Sequence, residues 1–283
     1  ASPDKNTKEI IVNSENFFEG KFRNIKTTYT NFRTLERKST LKEWFFPPKD
    51  KNPLGPLPTI KFQGQDLTEG KFVWFGHSTL LMKTEGLVVM TDPVFNRASP
   101  LPSFSSKSKS SFFNGKPFVF ENPILIEDLP KVDVVIISHD HYDHLDSKAI
   151  KDLSNLVDHF IVPLGVGAHL ERWGVDKNKI TELDWYESKS YKDVEFIFAP
   201  ALHFSGRGIT NGNSTLWGSW IVKSKSLSAY FSGDGGYSET FKKLGNEYGP
   251  FDIAFIENGA YNIDWSNVHM FPDESVQASI DLK

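Results

Sequence analysis

The chain has 283 residues, enough for one large core or for two smaller domains. A formal net charge of −4 argues against a nucleic-acid polyanion as its main partner. With no cysteine it has no disulfide, thiolate zinc site or cysteine nucleophile, a composition that fits either side of a bacterial membrane.

Aromatic residues make up 14% of the chain, 24 of them phenylalanine, which suits an aromatic-packed core or phenylalanines that meet lipid or an apolar substrate. The longest apolar runs, VDVVII and FIVPLGVGA, fall well short of the roughly 20 residues a bilayer span needs. The sequence begins ASPDK without a methionine, as expected if a tag, an export signal or an anchor has been removed upstream.

Residues 1–69 are polar and rich in turn formers. FFPPKDKNPLGPLP, from Phe45, carries five prolines and excludes regular helix or central strand. This stretch is expected to be an arm on a main domain of residues 70–283. From Lys71, KFVWFGHSTLLMKTEGLVVMTDPVF reads as three strands, with Glu85-Gly86 as a hairpin turn. LPSFSSKSKSSFFNGKPF is long for a structureless connection, which favours a functional loop.

KVDVVIIS reads as a buried strand leading into SHDHYDHLD, and Asp146 or Ser147 then caps a helix over SKAIKDLSNL. FIVPLG, VEFIFAP, LWGSWIV, SAYFSGD and FDIAFIE are further strand candidates. Helical segments fall at VGAHLERWG and SETFKKLGNEYG, so the chain reads as an α/β domain with a large sheet or more than one.

Three of the eight histidines crowd into SHDHYDHLD. Residues two apart on an extended chain point the same way, so His139 and His141 can share one metal. After the turn, Asp143 and His144 can face a second metal close by. Neutral imidazole and carboxylate suit zinc. Two later strand ends offer more ligands, His203 in ALHFSGRG and Asp234 in FSGDGG. Read alone, the first is an ordinary histidine and the second a turn residue.

The chain resembles the metallo-β-lactamase superfamily through His139-x-His141-x-Asp143-His144, then His203 and Asp234. Within it, the resemblance is to the N-acylphosphatidylethanolamine-hydrolysing phospholipase D branch. WFGHSTLL, TDPVF with RASP, ISHDHYDHLD, VPLG, ELDWYE, LWGSW, GDGGY, GPFDIAFIENGAY and HMFPDESVQ carry it, from about Lys71 to Lys283.

The resemblance implies a four-layer αβ/βα sandwich with metals at one edge between two sheets. It implies two zinc ions, the first held by His139, His141 and His203, the second by Asp143 and His144, with Asp234 bridging them. Asp92 and His77 would sit beside the metals. The family also has a histidine in a later HWG-like stretch. Here the only histidine after Asp234 is His269, which matches a family residue near the substrate pocket. Because ASIDLK stops inside a helical pattern, the chain is expected to continue beyond Lys283 and supply that ligand; the alternative is that His269 swings in to take its place.

The expected function is hydrolysis of N-acylphosphatidylethanolamine-like phosphodiesters by a hydroxide bridging two zinc ions about 3.5–4 Å apart. Asp143 would orient that hydroxide, and His269 would protonate the leaving group or hold the phosphate. An apolar groove from the Phe45 arm and from Phe104, Phe112 and Phe113, with Lys107, Lys109 and Lys116 near anionic headgroups, would give peripheral membrane contact. Two alternatives stand beside this: another hydrolase of the fold, such as a lactonase or esterase, and a metal-binding scaffold without turnover.

Overall fold

In the computed structural model of the chain, the described residues are 1–26, 53–96, 98, 118–208 and 210–283. Phe45, Phe104, Phe112, Phe113, Lys107, Lys109 and Lys116 lie outside them.

The chain opens with helix α1 (Lys5–Asn13), whose first turn is capped by the Asp4 carboxylate accepting from the Thr7 amide. A short hairpin follows, β1 (Phe17–Phe18) and β2 (Lys21–Phe22). Next comes an antiparallel meander of β3 (Phe72–Trp74), β4 (Leu80–Thr84) and β5 (Leu87–Thr91). Its second turn is Glu85-Gly86, where both residues have positive φ, 49° and 72°. That is the backbone a two-residue hairpin needs to match strand twist. The Glu69 carboxylate accepts both turn amides.

Three parallel strands extend this sheet: β6 (Val132–Ile136), β7 (Val157–Pro163) and β8 (Ile180–Leu183). Helix α2 (Ser147–Leu153) crosses from β6 to β7, and α3 (Gly167–Arg172) from β7 to β8. The cap of α2 is Asp146 rather than Ser147; it accepts from the amides of Lys148 and Ala149. The second sheet runs β9 (Ser188–Tyr191), β10 (Val194–Ala199), β11 (Ser219–Lys223) and β12 (Ser228–Phe231), all antiparallel. After α4 (Thr240–Glu247), β13 (Ile253–Phe255) adds in parallel at the edge beside β12. Helix α5 (Pro272–Leu282) closes the described chain with proline in its first turn.

Strand alternation builds the layers. Leu80, Met82, Val134 and Ile136 of the first sheet face Phe196, Phe198, Trp220 and Phe231 of the second in one buried cluster. The intervening residues Leu81, Val135 and Ile137 point the other way, onto Ile150 and Leu153 of α2 and Leu170 of α3. Ile197, Ile221 and Tyr230 of the second sheet face Phe241 and Leu244 of α4 and Ala278 and Leu282 of α5. The result is helix, sheet, sheet, helix, as the resemblance implies. Each fully buried large side chain in the middle layer contributes about 1.5–3 kcal/mol relative to exposure. Phe22 of β2 and Ile11 of α1 join that same middle cluster.

Candidate metal centre

Most of the candidate residues come from four strand ends on one edge of the sandwich, with His77 after β3 and His269 after β13. Asp92 follows β5, the 138–144 segment follows β6, His203 follows β10, and Asp234 follows β12. Gly233 brings the last of these close: its φ is +56°, and a Cβ there would lie 2.6 Å from Ser138 Cβ.

Asp92 organises the first turn. It is fully buried, and its Oδ1 accepts the Ser138 amide at 2.7 Å while Oδ2 accepts the Ser138 hydroxyl at 2.6 Å. Nδ1 of His144 lies 2.8 Å from the same Oδ2. Burial lifts the Asp92 pKa, and the hydrogen bonds from His144 and Ser138 work against that rise.

These contacts fix tautomers by elimination. The Ser138 hydroxyl spends its one proton on Asp92, so toward His139 Nδ1, 2.9 Å away, it accepts. His139 therefore carries its proton on Nδ1 and presents a lone pair at Nε2. His203 Nδ1 faces the Val268 carbonyl at 3.1 Å, so its Nε2 is also a lone pair. Both of these nitrogens converge on His141 Nδ1, at 2.8 and 3.3 Å. At most one proton fits among the three. Burial, reinforced by the neighbouring imidazoles, holds His139 and His203 well below the usual histidine pKa, and burial also lowers His141. Three neutral nitrogens around one point is a donor set that a cation completes.

His144 extends the set. With Nδ1–H on Asp92, its Nε2 lies 3.1 Å from Asp234 Oδ2, and that buried nitrogen has no hydrogen-bond partner. Burial disfavours its charged form, but the Asp234 and Asp143 carboxylates outweigh this and raise its pKa well above normal. For Asp143, burial acts upward, while His144 and His77 hold the carboxyl well below its usual range. The His77 Nε2 to Asp143 Oδ2 distance is 3.3 Å, and both side chains are about half exposed.

Among the described residues, four overlapping groups have ligand atoms within 4.8 Å of one another. They are His139, His141 and His203; His139, His144 and Asp234; His77, Asp143 and His144; and His203, Asp234 and His269. The proposed ligands singled out in the sequence, with His77 and His269, lie in these groups, and Asp92 lies directly against His144. His77 and Asp92 both have positive φ, 47° and 33°, a backbone state uncommon for non-glycine residues and frequent at functional sites.

Other contributors carried no sequence signal. Glu257, at the end of β13, lies 3.3 Å from His269 Nδ1 and accepts the Met270 amide at 3.0 Å. Burial lowers the His269 pKa, but Glu257 and Asp234 raise it on balance. Arg207 donates to the Asp140 and Leu145 carbonyls at 2.8 and 2.7 Å, with the Tyr142 ring 4.1 Å from its guanidinium carbon. It ties the 139–145 turn to the loop after His203.

A four-layer sandwich with a histidine–aspartate cluster at the sheet edge defines a class, and the comparisons agree with it. The family model of the beta-lactamase superfamily domain matches residues 88–283. An uncharacterized protein of Mycobacterium tuberculosis is 41% identical over 235 residues, covering 81% of this chain and 60% of that protein. The chain thus spans 60% of the length of the mycobacterial relatives it matches. N-acyl-phosphatidylethanolamine-hydrolyzing phospholipase D 1 of Caenorhabditis elegans is 36% identical over 246 residues, covering 81% of this chain and 67% of that protein. The solved structure of isothiocyanate hydrolase from Delia radicum gut bacteria shares the fold, with a TM-score of 0.55 at 20% identity over 72% of this chain and 78% of that one. The chain belongs to the beta-lactamase superfamily, in the branch that contains the N-acylphosphatidylethanolamine-hydrolysing phospholipases D.

Proposed function

We propose that this chain carries the centre of a metal-dependent hydrolase, a phosphodiesterase of phospholipase D type acting on N-acylphosphatidylethanolamine-like lipids. The observation that carries the metal-dependent part is the convergence of His139 Nε2, His141 Nδ1 and His203 Nε2 as neutral donors. The substrate assignment is supported by the 36% identity to the nematode phospholipase.

In this reading His139, His141 and His203 would hold one cation, Asp143 and His144 would hold a second, and Asp234 would contribute to both. Nitrogen and carboxylate donors suit zinc. Bound divalent cations supply Lewis acidity toward a phosphoryl oxygen and lower the pKa of water.

The protein's own groups do the rest. Asp92 holds the His144 ring in one tautomer, and His77 Nε2, 3.3 Å from Asp143 Oδ2, steadies that carboxylate. Asp143, ionised and half exposed, accepts a hydrogen bond from the attacking water and orients it. His269 stands at the edge of the cluster with Nδ1 turned to Glu257, which leaves Nε2 to protonate the departing oxygen or to hold the phosphate.

Residues 1–69 act in this reading as an arm on the hydrolase domain of residues 70–283. No helix among the described residues is long and apolar enough to cross a membrane. Contact with a lipid surface is therefore assigned to side chains at the rim. Trp74 is exposed and donates from its indole to the His77 carbonyl, and the Phe120 ring sits against Gly76 beside exposed Phe118 and Val119.

The test is a hydrolysis panel with zinc-loaded and chelated protein on N-acylphosphatidylethanolamine micelles, a short soluble phosphodiester, a lactone and a β-lactam. Turnover of the diesters that disappears on chelation and returns with zinc is expected. Lactone hydrolysis without diester hydrolysis would reassign the substrate, and metal binding without any turnover would make the chain a scaffold.

A further inference from the structure

We infer that Asn24, in the N-terminal arm, is a positioning residue for the metal site, because its side-chain amide grips the backbone of His203 on both sides. Asn24 Nδ2 donates to the His203 carbonyl at 2.9 Å, and the His203 amide donates to Asn24 Oδ1 at 3.3 Å. This rests on the reading of His203 as a cation ligand.

The contact is built into its surroundings. The indole nitrogen of fully buried Trp217 donates to Asn24 Oδ1 at 3.2 Å and to the Ala201 carbonyl at 3.1 Å. Asn24 and the 201–203 segment are thereby stapled to the same side chain. Two residues earlier, Phe22 is fully buried in the core between the sheets, which fixes where the arm arrives. The Phe22 amide donates to the Asn213 carbonyl at 2.9 Å, and Asn213 pairs in turn with Ser205. The arm therefore borders the His203 loop along its length.

The physical need is clear from the loop itself. His203 lies beyond the end of β10, where the ladder to β11 has stopped at Ala199 and Ser219. A backbone leaving a sheet must find partners for its polar groups elsewhere. The planar amide of an asparagine side chain offers an N–H donor beside a carbonyl acceptor, the pair a neighbouring strand would offer, and here the His203 N–H is shared between Asn24 Oδ1 and the Ala201 carbonyl at 3.2 Å. It holds the His203 backbone so that Nδ1 meets the Val268 carbonyl and Nε2 faces His141. Outer partners that orient metal ligands typically matter by about 10–100-fold in metal affinity.

The experiment compares wild type, Asn24→Ala and Asn24→Ser with the control Asn16→Ala, whose side chain fastens the arm to Asp184 away from His203. Zinc affinity is measured by chelator competition, and ligand geometry by the visible spectrum of the cobalt(II)-substituted protein. The melting temperature of metal-free protein reports folding. The inference expects affinity to fall about 10–100-fold in N24A with a changed cobalt spectrum. N24S, a polar variant too short to span both groups, gives the same reading should N24A fail to fold. N16A is expected to keep wild-type affinity and spectrum even if its melting temperature drops. Wild-type affinity and spectrum in folded N24A or N24S overturn the inference, as does an equal loss in N16A. A wild-type protein that binds no zinc removes the ligand reading itself, and this inference with it.

Discussion

Asp92 Oδ2 and His144 Nδ1 lie 2.8 Å apart in the fully buried strand-end layer, and the opposite nitrogen of that ring points at Asp234. One carboxylate thus decides which nitrogen of His144 is free. Replacing it by asparagine offers an amide that can donate to Nδ1 as well as accept from it, so the tautomer is no longer dictated. Asp92→Asn is expected to weaken the second cation site about 10–100-fold, and the three-histidine site less, through the Ser138 hydroxyl that links Asp92 to His139. Metal counting by plasma mass spectrometry after dialysis against graded chelator checks it; equal loss at both sites would sink this division.

Direct ligands should cost more than their supports. His203→Ala removes one of three converging nitrogens, and its effect on affinity is expected to exceed the ~10–100-fold typical of an outer partner. Asp234→Ala is expected to release the second cation while the first stays. Calorimetric zinc titration resolves the two steps.

Acid should strip the two sites in order. Protons compete with metal according to the pKa of the free ligand. Burial holds His139 and His203 well below the ordinary value near 6.5, so protons compete there only at low pH. His144 lies well above that value, because Asp234 and Asp143 favour its charged form despite burial, so protons compete for it at higher pH than for His139 or His203. Falling pH is therefore expected to release the His144 cation first and the three-histidine cation last. Metal content after dialysis across a pH series reads the order.

The exposed rim allows the proposed lipid contact to be tested apart from chemistry. Phe118 and Val119 are 53% and 68% exposed, so the double serine variant should change stability by less than about 0.5 kcal/mol. It is expected to weaken binding to anionic liposomes while turnover of a short soluble diester persists. Phe196→Ala, by contrast, opens a hole between the two sheets and should cost about 3–5 kcal/mol in urea unfolding.

Much of this was legible in local pattern. The meander from Lys71, its Glu85-Gly86 turn and the strand leading to His139 follow from alternation and turn chemistry within a few residues. The candidate cluster has a local signal in SHDHYDHLD, while His203 and Asp234 were pointed to by the resemblance; all of them fall just past strand ends, where a sheet gathers distant segments at one edge. What stayed hidden depends on separation. Asn24 meets His203 across 179 positions, and nothing near Asn24 marks it. The polar stretch before residue 69 masked Phe22, a single buried ring on a two-residue strand. β8 and β9 were missed because edge strands with half-exposed Thr, Glu, Ser and Lys lack the apolar alternation of central ones. Glu257 reads as an ordinary acid until the chain returns His269 to it.

Anomalous diffraction at the zinc edge from crystals of zinc-loaded protein tests the cation cage most directly. The expected result is a peak about 2.0–2.1 Å from His139 Nε2, His141 Nδ1 and His203 Nε2, with a second beside His144 and Asp234. Density confined to other parts of the surface, with those three nitrogens bound to nothing but one another or water, would contradict it.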